Sequence, residues 1–299
     1  MKLAGIKDII SDIEIIVDGE FDALGMATSE YKDEKVLSFL ADVKFQRSIV
    51  ENENIKSVII SKETYDSMDL PKDMGVILSS SPKATFYKLH NKLADMDFYW
   101  DRFENNIANS AVISDNAVIG DHSISIGENS IIEANVVIHP GTVIGNNAII
   151  RSGSQIGSNG FQFMNNGEIV TSVKTAGRAI IKDNVEIQHN CCVDRGVLGG
   201  DTVLNEYVKL DNFVHIAHDD VIGKRTFITA GVKLAGRVVI GNDCWLGVNA
   251  TITNGITIGD NCKISLGAVV TKSIASNSTV SGNFAIDHEK FINFIKTIR

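Results

Sequence analysis

The nonapeptide HIAHDDVIG, His215 to Gly223, holds two histidines and two aspartates ahead of an Ile-Gly step. Imidazole titrates near neutrality, so a histidine set among polar groups is suited to accept a proton from an attacking nucleophile. The competing interpretation is a polar turn between two strands. Asp211 lies seven residues before His218, with Asn212 beside it. Either side chain could orient an imidazole, contact a polar ligand, or cap its own turn. Gly236 follows His218 by eighteen residues. A glycine lets a substrate come close to the backbone, or simply relieves a tight corner. Which of these roles applies depends on the elements that carry the residues.

Those elements follow from a repeat. From residue 202 the chain divides into hexads: TVLNEY, VKLDNF, VHIAHD, DVIGKR, TFITAG, VKLAGR, VVIGND, CWLGVN, ATITNG, ITIGDN, CKISLG and AVVTKS. The third position is always aliphatic, from Leu204 to Val270. The same period covers Ile107, Ile113 and Ile119, then slips by one residue to Ile126 and continues to Ile156. It returns at Ile181, Ile187 and Val193. Positions one and three of a short strand share a face, so both point into a core, while the Gly- and Asn-rich second half turns a corner. Three hexads, or eighteen residues, close one coil, and coils stack about 4.8 Å apart as parallel strands. The repeats found predict about eight coils of a hexapeptide β-helix. The breaks near 157–178 and 196–201 predict loops that leave the stack.

This geometry puts His218, fifth in its hexad, at a corner facing outward. Gly236 falls one coil further along the same edge, about 5 Å away. His215 occupies an outward strand position and reads as a pocket-wall or surface residue. Cys244 and Cys262, eighteen apart, share a core column; together with Cys191 and Cys192 they read as reduced thiols. No CxxC pair is present, so a zinc knuckle is not expected.

The ends lack the period. KSVIIS (56–61) and GVILSS (75–80) predict short buried strands, and ATFYKLHNKLADM (84–96) a helix, giving a small α/β domain over 1–100. The β-helix spans 101–275, and a tail over 276–299 ends in a helix with Phe291, Phe294, Ile295 and Ile298 on one face. A net charge of −9 argues against general affinity for nucleic acid or anionic membrane. No apolar run approaches a membrane span, and acidic and basic residues interrupt the first twenty, so a cytoplasmic protein without stable membrane insertion is expected.

Several segments resemble the UDP-3-O-acylglucosamine N-acyltransferases of lipid A biosynthesis: GSQIGSNGFQF (153–163), GRAIIKDNVEI (177–187), VDRGVLGGDTV (193–203), LDNFVHIAHDDVIG (210–223) and AGVKLAGRVVIG (230–241). The resemblance implies a left-handed β-helix and a homotrimer with sites between neighbouring subunits. It also implies a UDP-linked amino sugar as acceptor and an acyl group carried on phosphopantetheine, with no permanently bound cofactor. It assigns the catalytic base to His218, the oxyanion donor to the N–H of Gly236, and a supporting role to Asp211. In LSFLADVKF (37–45) it matches Phe39 and Phe45 to two aromatics that sandwich a uracil ring, with Asp42 between them. Asn212, His215, Phe161, Gln162 and Phe163 complete the expected substrate contacts.

The chain departs from the family pattern at several points. Phe45 replaces a tyrosine, Asp42 an asparagine and Gln162 a glycine, and Ile256 stands where a second histidine is expected. VSGNFA (280–285) resembles the end of acetyl-CoA-dependent enzymes, with Phe284 in place of a proline. A short-chain N-acetyltransferase of a UDP- or dTDP-amino sugar is therefore the close alternative, and the donor is an acyl-carrier protein or CoA. A trimeric scaffold without activity is more distant. A zinc hydratase of the γ-carbonic-anhydrase type would need His189, His215 and His218 to converge. The three-residue spacing of the last two does not place them at stacked positions, so no metal is expected.

Overall fold

A computed structural model describes residues 1–29, 34–282, 285 and 287–297. Phe284 and Ile298 lie outside the described residues. The chain separates into two compact units.

The larger unit comprises 104–158, 179–194 and 202–299. It is a left-handed parallel β-helix of hexapeptide repeats, with strands of two to four residues in three sheets of nine, eight and eight strands. Where the repeat is unbroken the register advances by eighteen residues: Val221 pairs with Val239, and Val239 with Thr257. Third-position residues from Ile126 to Val270 form one buried column together with the apolar first positions. Each such side chain contributes roughly 1.5–3 kcal/mol on leaving water. The first coil is looser: Ile113 and Ile119 are only partly buried, and Ile107 is exposed.

The corners explain the polar half of each hexad. The sixth residue of successive hexads from Tyr207 to Gly267, Asp219 at φ 61° among them, has a positive φ. Asn, Asp and Gly tolerate that left-handed conformation best, which is why they recur there. Polar residues at inward first positions tie one corner to the next. Thr226 Oγ1 donates to the Gly241 carbonyl at 2.9 Å and accepts from the Cys244 N–H at 3.1 Å. The Cys244 thiol donates to the Gly259 carbonyl at 3.1 Å. The cysteines of this column thus act as small core donors, and all four are free thiols.

The smaller unit contains 1–103 with 159–178 and 195–201, the two segments that leave the coils. Its sheet orders Glu14–Val17, Gly75–Leu78, Ile55–Ile60, Val36–Leu40 and Ala23–Leu24, with only the first pair antiparallel. Pro82–Asp95 is its longest helix, opened by Pro82 in its first turn, beside the short helices Gln46–Glu51 and Lys62–Ser67. Its buried Phe86, Leu89, His90 and Leu93 follow helical spacing. Val173 and Val197, one from each excursion, are buried in this unit's core. His90 accounts for part of that attachment. Its ring nitrogens lie 2.6 Å from the Tyr99 hydroxyl and 2.7 Å from the Lys174 carbonyl. Arg195 links the excursions to each other, donating to Asn159 Oδ1 at 2.7 Å and to Thr175 Oγ1 at 3.3 Å. The excursions are therefore parts of the α/β unit rather than free loops, which the broken period alone did not reveal.

A terminal helix spans His288–Thr297 and buries none of its residues. Among the described residues no helix is long and apolar enough to cross a membrane.

Candidate active site

His218 precedes a corner residue in the left-handed conformation, and that geometry brings the next side chain back onto its ring. Asp219 Oδ2 lies 2.9 Å from His218 Nδ1. The Asp219 N–H is fixed in turn by Thr202 Oγ1 at 2.8 Å. The imidazole is mostly buried, its side chain keeping 16% exposure. With Nδ1 held by the carboxylate, Nε2 is the nitrogen left to exchange a proton.

Gly236 lies against this ring, one coil on. A Cβ built there would come within 2.5 Å of His218 Cε1 and 2.6 Å of Nε2. Any other residue would collide with the imidazole, so the glycine does more than relieve a corner. The Arg237 N–H donates to the His218 carbonyl at 2.9 Å, locking the two corners in register. Equivalent fifth-position N–H groups point outward along the stack. Lys224 donates to Asn242 Oδ1 at 2.8 Å, and Asn242 to Asp260 Oδ1 at 2.6 Å. For Gly236 the corresponding place, eighteen residues on, is that of Asn254, in the coil on the far side from His218.

Asp211 takes a different part from the one of orienting His218. Its Oδ1 accepts from the Asn212 N–H at 2.7 Å and from Asn212 Nδ2 at 2.9 Å, while Oδ2 accepts from the Ala230 N–H at 3.1 Å. Both oxygens serve the corner backbone; the carboxylate against the imidazole belongs to Asp219. Asn212 Oδ1 accepts from the His189 N–H at 3.2 Å and lies 3.1 Å from its Nδ1. Asp211 lines a cavity of about 320 Å³ with Glu186, Gln188, Lys209, Phe227 and Trp245, on the sheet face carrying the stacked Phe227–Trp245 pair.

Beneath the histidine's corner lies a residue that sequence reasoning passed over. Asp220 occupies an inward first position and is fully buried. Its Oδ2 accepts from the Ala217 N–H at 3.0 Å and its Oδ1 from the Val238 N–H at 2.8 Å, so it spans the coils of both His218 and Gly236. Burial pushes its carboxyl up to about 8, against those two N–H bonds. The sequence signal was a carboxylate at a first position, where the other hexads from residue 202 place an apolar residue, cysteine or threonine.

His215 points outward, and its Nε2 lies 3.2 Å from Asp194 Oδ2. Asp194 also accepts from Ser158 Oγ at 2.7 Å. Burial opposes its charge, but the hydrogen bonds from His215 and Ser158 hold its carboxyl below the usual range. His215 therefore belongs to a second polar cluster.

In the smaller unit, Phe39 is half-buried against Phe86, ring centroids 4.8 Å apart, and much of its ring is committed to the core. Phe45 is 40% exposed, with Lys44 Nζ 5.0 Å from its ring centre. Asp42 caps the short turn Val43–Phe45, accepting from the Lys44 N–H at 3.0 Å, and pairs with Lys44 Nζ at 2.8 Å. The expected base sandwich is thus represented by one open ring and one packed ring. Phe161 and Phe163 meet edge to face at 4.8 Å, Phe161 being 89% exposed. Gln162 adjoins them at the mouth of the hairpin of Phe163–Asn165 and Val170–Ser172, its carbonyl accepting from the Val173 N–H at 3.0 Å.

Comparison with known proteins agrees with this architecture. Residues 123–158 match the bacterial transferase hexapeptide family, and 237–272 the hexapeptide repeat of succinyl-transferase. The chain is a hexapeptide-repeat β-helix protein. Within that class it is similar to the UDP-3-O-acylglucosamine N-acyltransferases. The protein of that name from Methylobacillus flagellatus is 30% identical over 67% of this chain and 63% of its own length. That from Fusobacterium nucleatum is 32% identical over 68% of this chain and 66% of its own. The chain thus spans just under two thirds of these relatives. A solved structure, the Francisella novicida UDP-N-acetylglucosamine acyltransferase, shares the fold with a TM-score of 0.50 at 26% identity, over 64% of this chain and 71% of that one.

Proposed function

We propose that the protein is an N-acyltransferase that moves an acyl group from a phosphopantetheine thioester to the amine of a nucleotide-linked amino sugar. The observation carrying this reading is the arrangement of Asp219, His218 and Gly236 at one corner. The amine nitrogen attacks the thioester carbonyl carbon and gives a proton to His218 Nε2. The Asp219 carboxylate holds Nδ1–H and stabilises the imidazolium. The Gly236 N–H donates to the oxyanion that forms on the carbonyl oxygen. When the C–S bond breaks, the imidazolium returns its proton to the departing thiolate, leaving an amide and a free thiol. General-base assistance of this kind supplies about 10²- to 10⁴-fold.

Similarity to the UDP-3-O-acylglucosamine N-acyltransferases supports a UDP-sugar acceptor; in this first reading the donor is an acyl-carrier protein. The Asp42 and Gln162 departures, together with the Lys44-covered Phe45, favour a different UDP- or dTDP-amino sugar, and the second reading pairs it with a short acyl group from CoA. Both readings place the working unit in a homotrimer. The test is turnover with acetyl-CoA or a 3-hydroxyacyl carrier protein against a panel of UDP- and dTDP-amino sugars, with His218→Ala alongside. Amide formation by the parent and a loss of two orders of magnitude or more in the variant is the expected outcome. Full activity in the variant would remove His218 from the mechanism.

A further inference from the structure

A cluster separate from the His218 corner has the donor set of a divalent-metal site. Cys192, Asp194 and His215 offer a thiol, a carboxylate and an imidazole whose ligating atoms all lie within 4.8 Å of one another. Cys192 Sγ is 3.4 Å from Asp194 Oδ1, and His215 Nε2 is 3.2 Å from Asp194 Oδ2. Ser158 Oγ adds a hydroxyl 3.2 Å from Cys192 Sγ and 2.7 Å from Asp194 Oδ1.

These separations suit one ion. Tetrahedral zinc with Zn–S near about 2.3 Å and Zn–N or Zn–O near about 2.0 Å sets ligand-to-ligand edges of roughly 3.3–3.6 Å. The Cys192–Asp194 and His215–Asp194 separations already approach those edges. A thiolate, a carboxylate and a neutral imidazole also balance a divalent charge, and this mixed S, N, O set is one that zinc and cobalt accept. The coil register builds the group: Cys192 pairs with Gln155 on one side and with His215 on the other. The imidazole keeps 38% exposure, which leaves an entry path, while Asp194 is buried.

The geometry points to a zinc-class cation site made by Cys192, Asp194 and His215, with Ser158 or a water as fourth ligand. Metal binding would displace the thiol proton to solvent as the sulfur coordinates. Its place in the fold suggests what it does. Ser158 and Asp194 are the last β-helix residues before the chain leaves at 159 and at 195. An ion there would join three successive coils at the roots of both excursions. It would stabilise the fold rather than take part in acyl transfer.

Cobalt gives a direct readout. Metal-free protein titrated with Co²⁺ should bind one equivalent per chain, with a sulfur-to-cobalt charge-transfer band in the near ultraviolet and visible bands of tetrahedral intensity. Zn²⁺ should displace it and raise the thermal midpoint. Cys192→Ser should abolish the charge-transfer band, and His215→Gln should weaken binding at least tenfold; both positions face outward, so the core survives. Parent protein that takes up no cobalt, binds it without the sulfur band, or binds equally after Cys192→Ser would overturn the proposal.

Discussion

The pairing of His218 with Gly236 makes its own quantitative prediction. A Cβ at position 236 would stand 2.5 Å from the imidazole. Gly236→Ala should therefore destabilise the fold by about 1–3 kcal/mol, the ordinary penalty for overpacking. It should also abolish most turnover by displacing the base. His218→Ala in the same chain removes the obstacle, so the double variant should regain the lost stability but no activity. Denaturant melts of all four proteins give the coupling energy; strictly additive effects would show that ring and glycine do not touch. Asp219→Asn keeps an acceptor near Nδ1 but removes the charge that supports the imidazolium. A kcat reduced by about tenfold or more, with KM little changed, is expected in steady-state assays. The corner histidine was legible in the sequence because its hexad position fixed its direction. Its partner was not: Asp211 and Asp219 are both near in sequence, and only the left-handed φ of Asp219 turns that carboxylate onto the ring.

At the scale of the coil, the inward Asp220 couples stability to pH. Its folded pKa, about 8, stands above the ordinary carboxylate value, so the folded chain holds a proton that the unfolded chain has lost. The favourable contribution is complete below about pH 4 and disappears as pH rises through about 8. Urea midpoints of the parent should carry a falling component across that window. Asp220→Asn should lack it, while being less stable throughout, since one of the two N–H donors then meets an amide NH₂. A parent curve parallel to that of the variant would exclude the linkage. The repeat was readable because a period of six leaves an aliphatic residue at every third position, and burial confirms that column from Ile126 onward. The strands Glu14–Val17 and Val36–Leu40 were harder to read. Val36–Leu40 is buried at four of its five positions, and so shows no alternation to separate a strand from a buried helix.

For the whole molecule, the outward valines are the informative surface. Val112, Val118 and Val269 are each about 60% exposed, and Val239 is 42% exposed beside half-buried Val203 and Val221. Strand faces that apolar suit association, and the acyltransferase reading requires three copies. Sedimentation equilibrium should return three times the 32.4 kDa chain mass, and Val239→Lys should shift the population toward monomer. A monomer with full N-acyltransferase activity would contradict the shared-site arrangement. The two units were only partly legible at this scale. A broken period marks where the chain leaves the coils, but the destination of 159–178 and 195–201 depends on distant partners such as His90 and Phe86.

The corners have one more consequence. The single-residue slip between Ile119 and Ile126 is absorbed at Ser123, in a left-handed turn, while the strand after it resumes its inward column without a defect. Length is thus variable at the edges and rigid along the faces. The candidate chemistry also sits on an edge, so descendants of this chain can gain, lose or resize rim segments, and with them ligand preference, while the interior inherits unchanged.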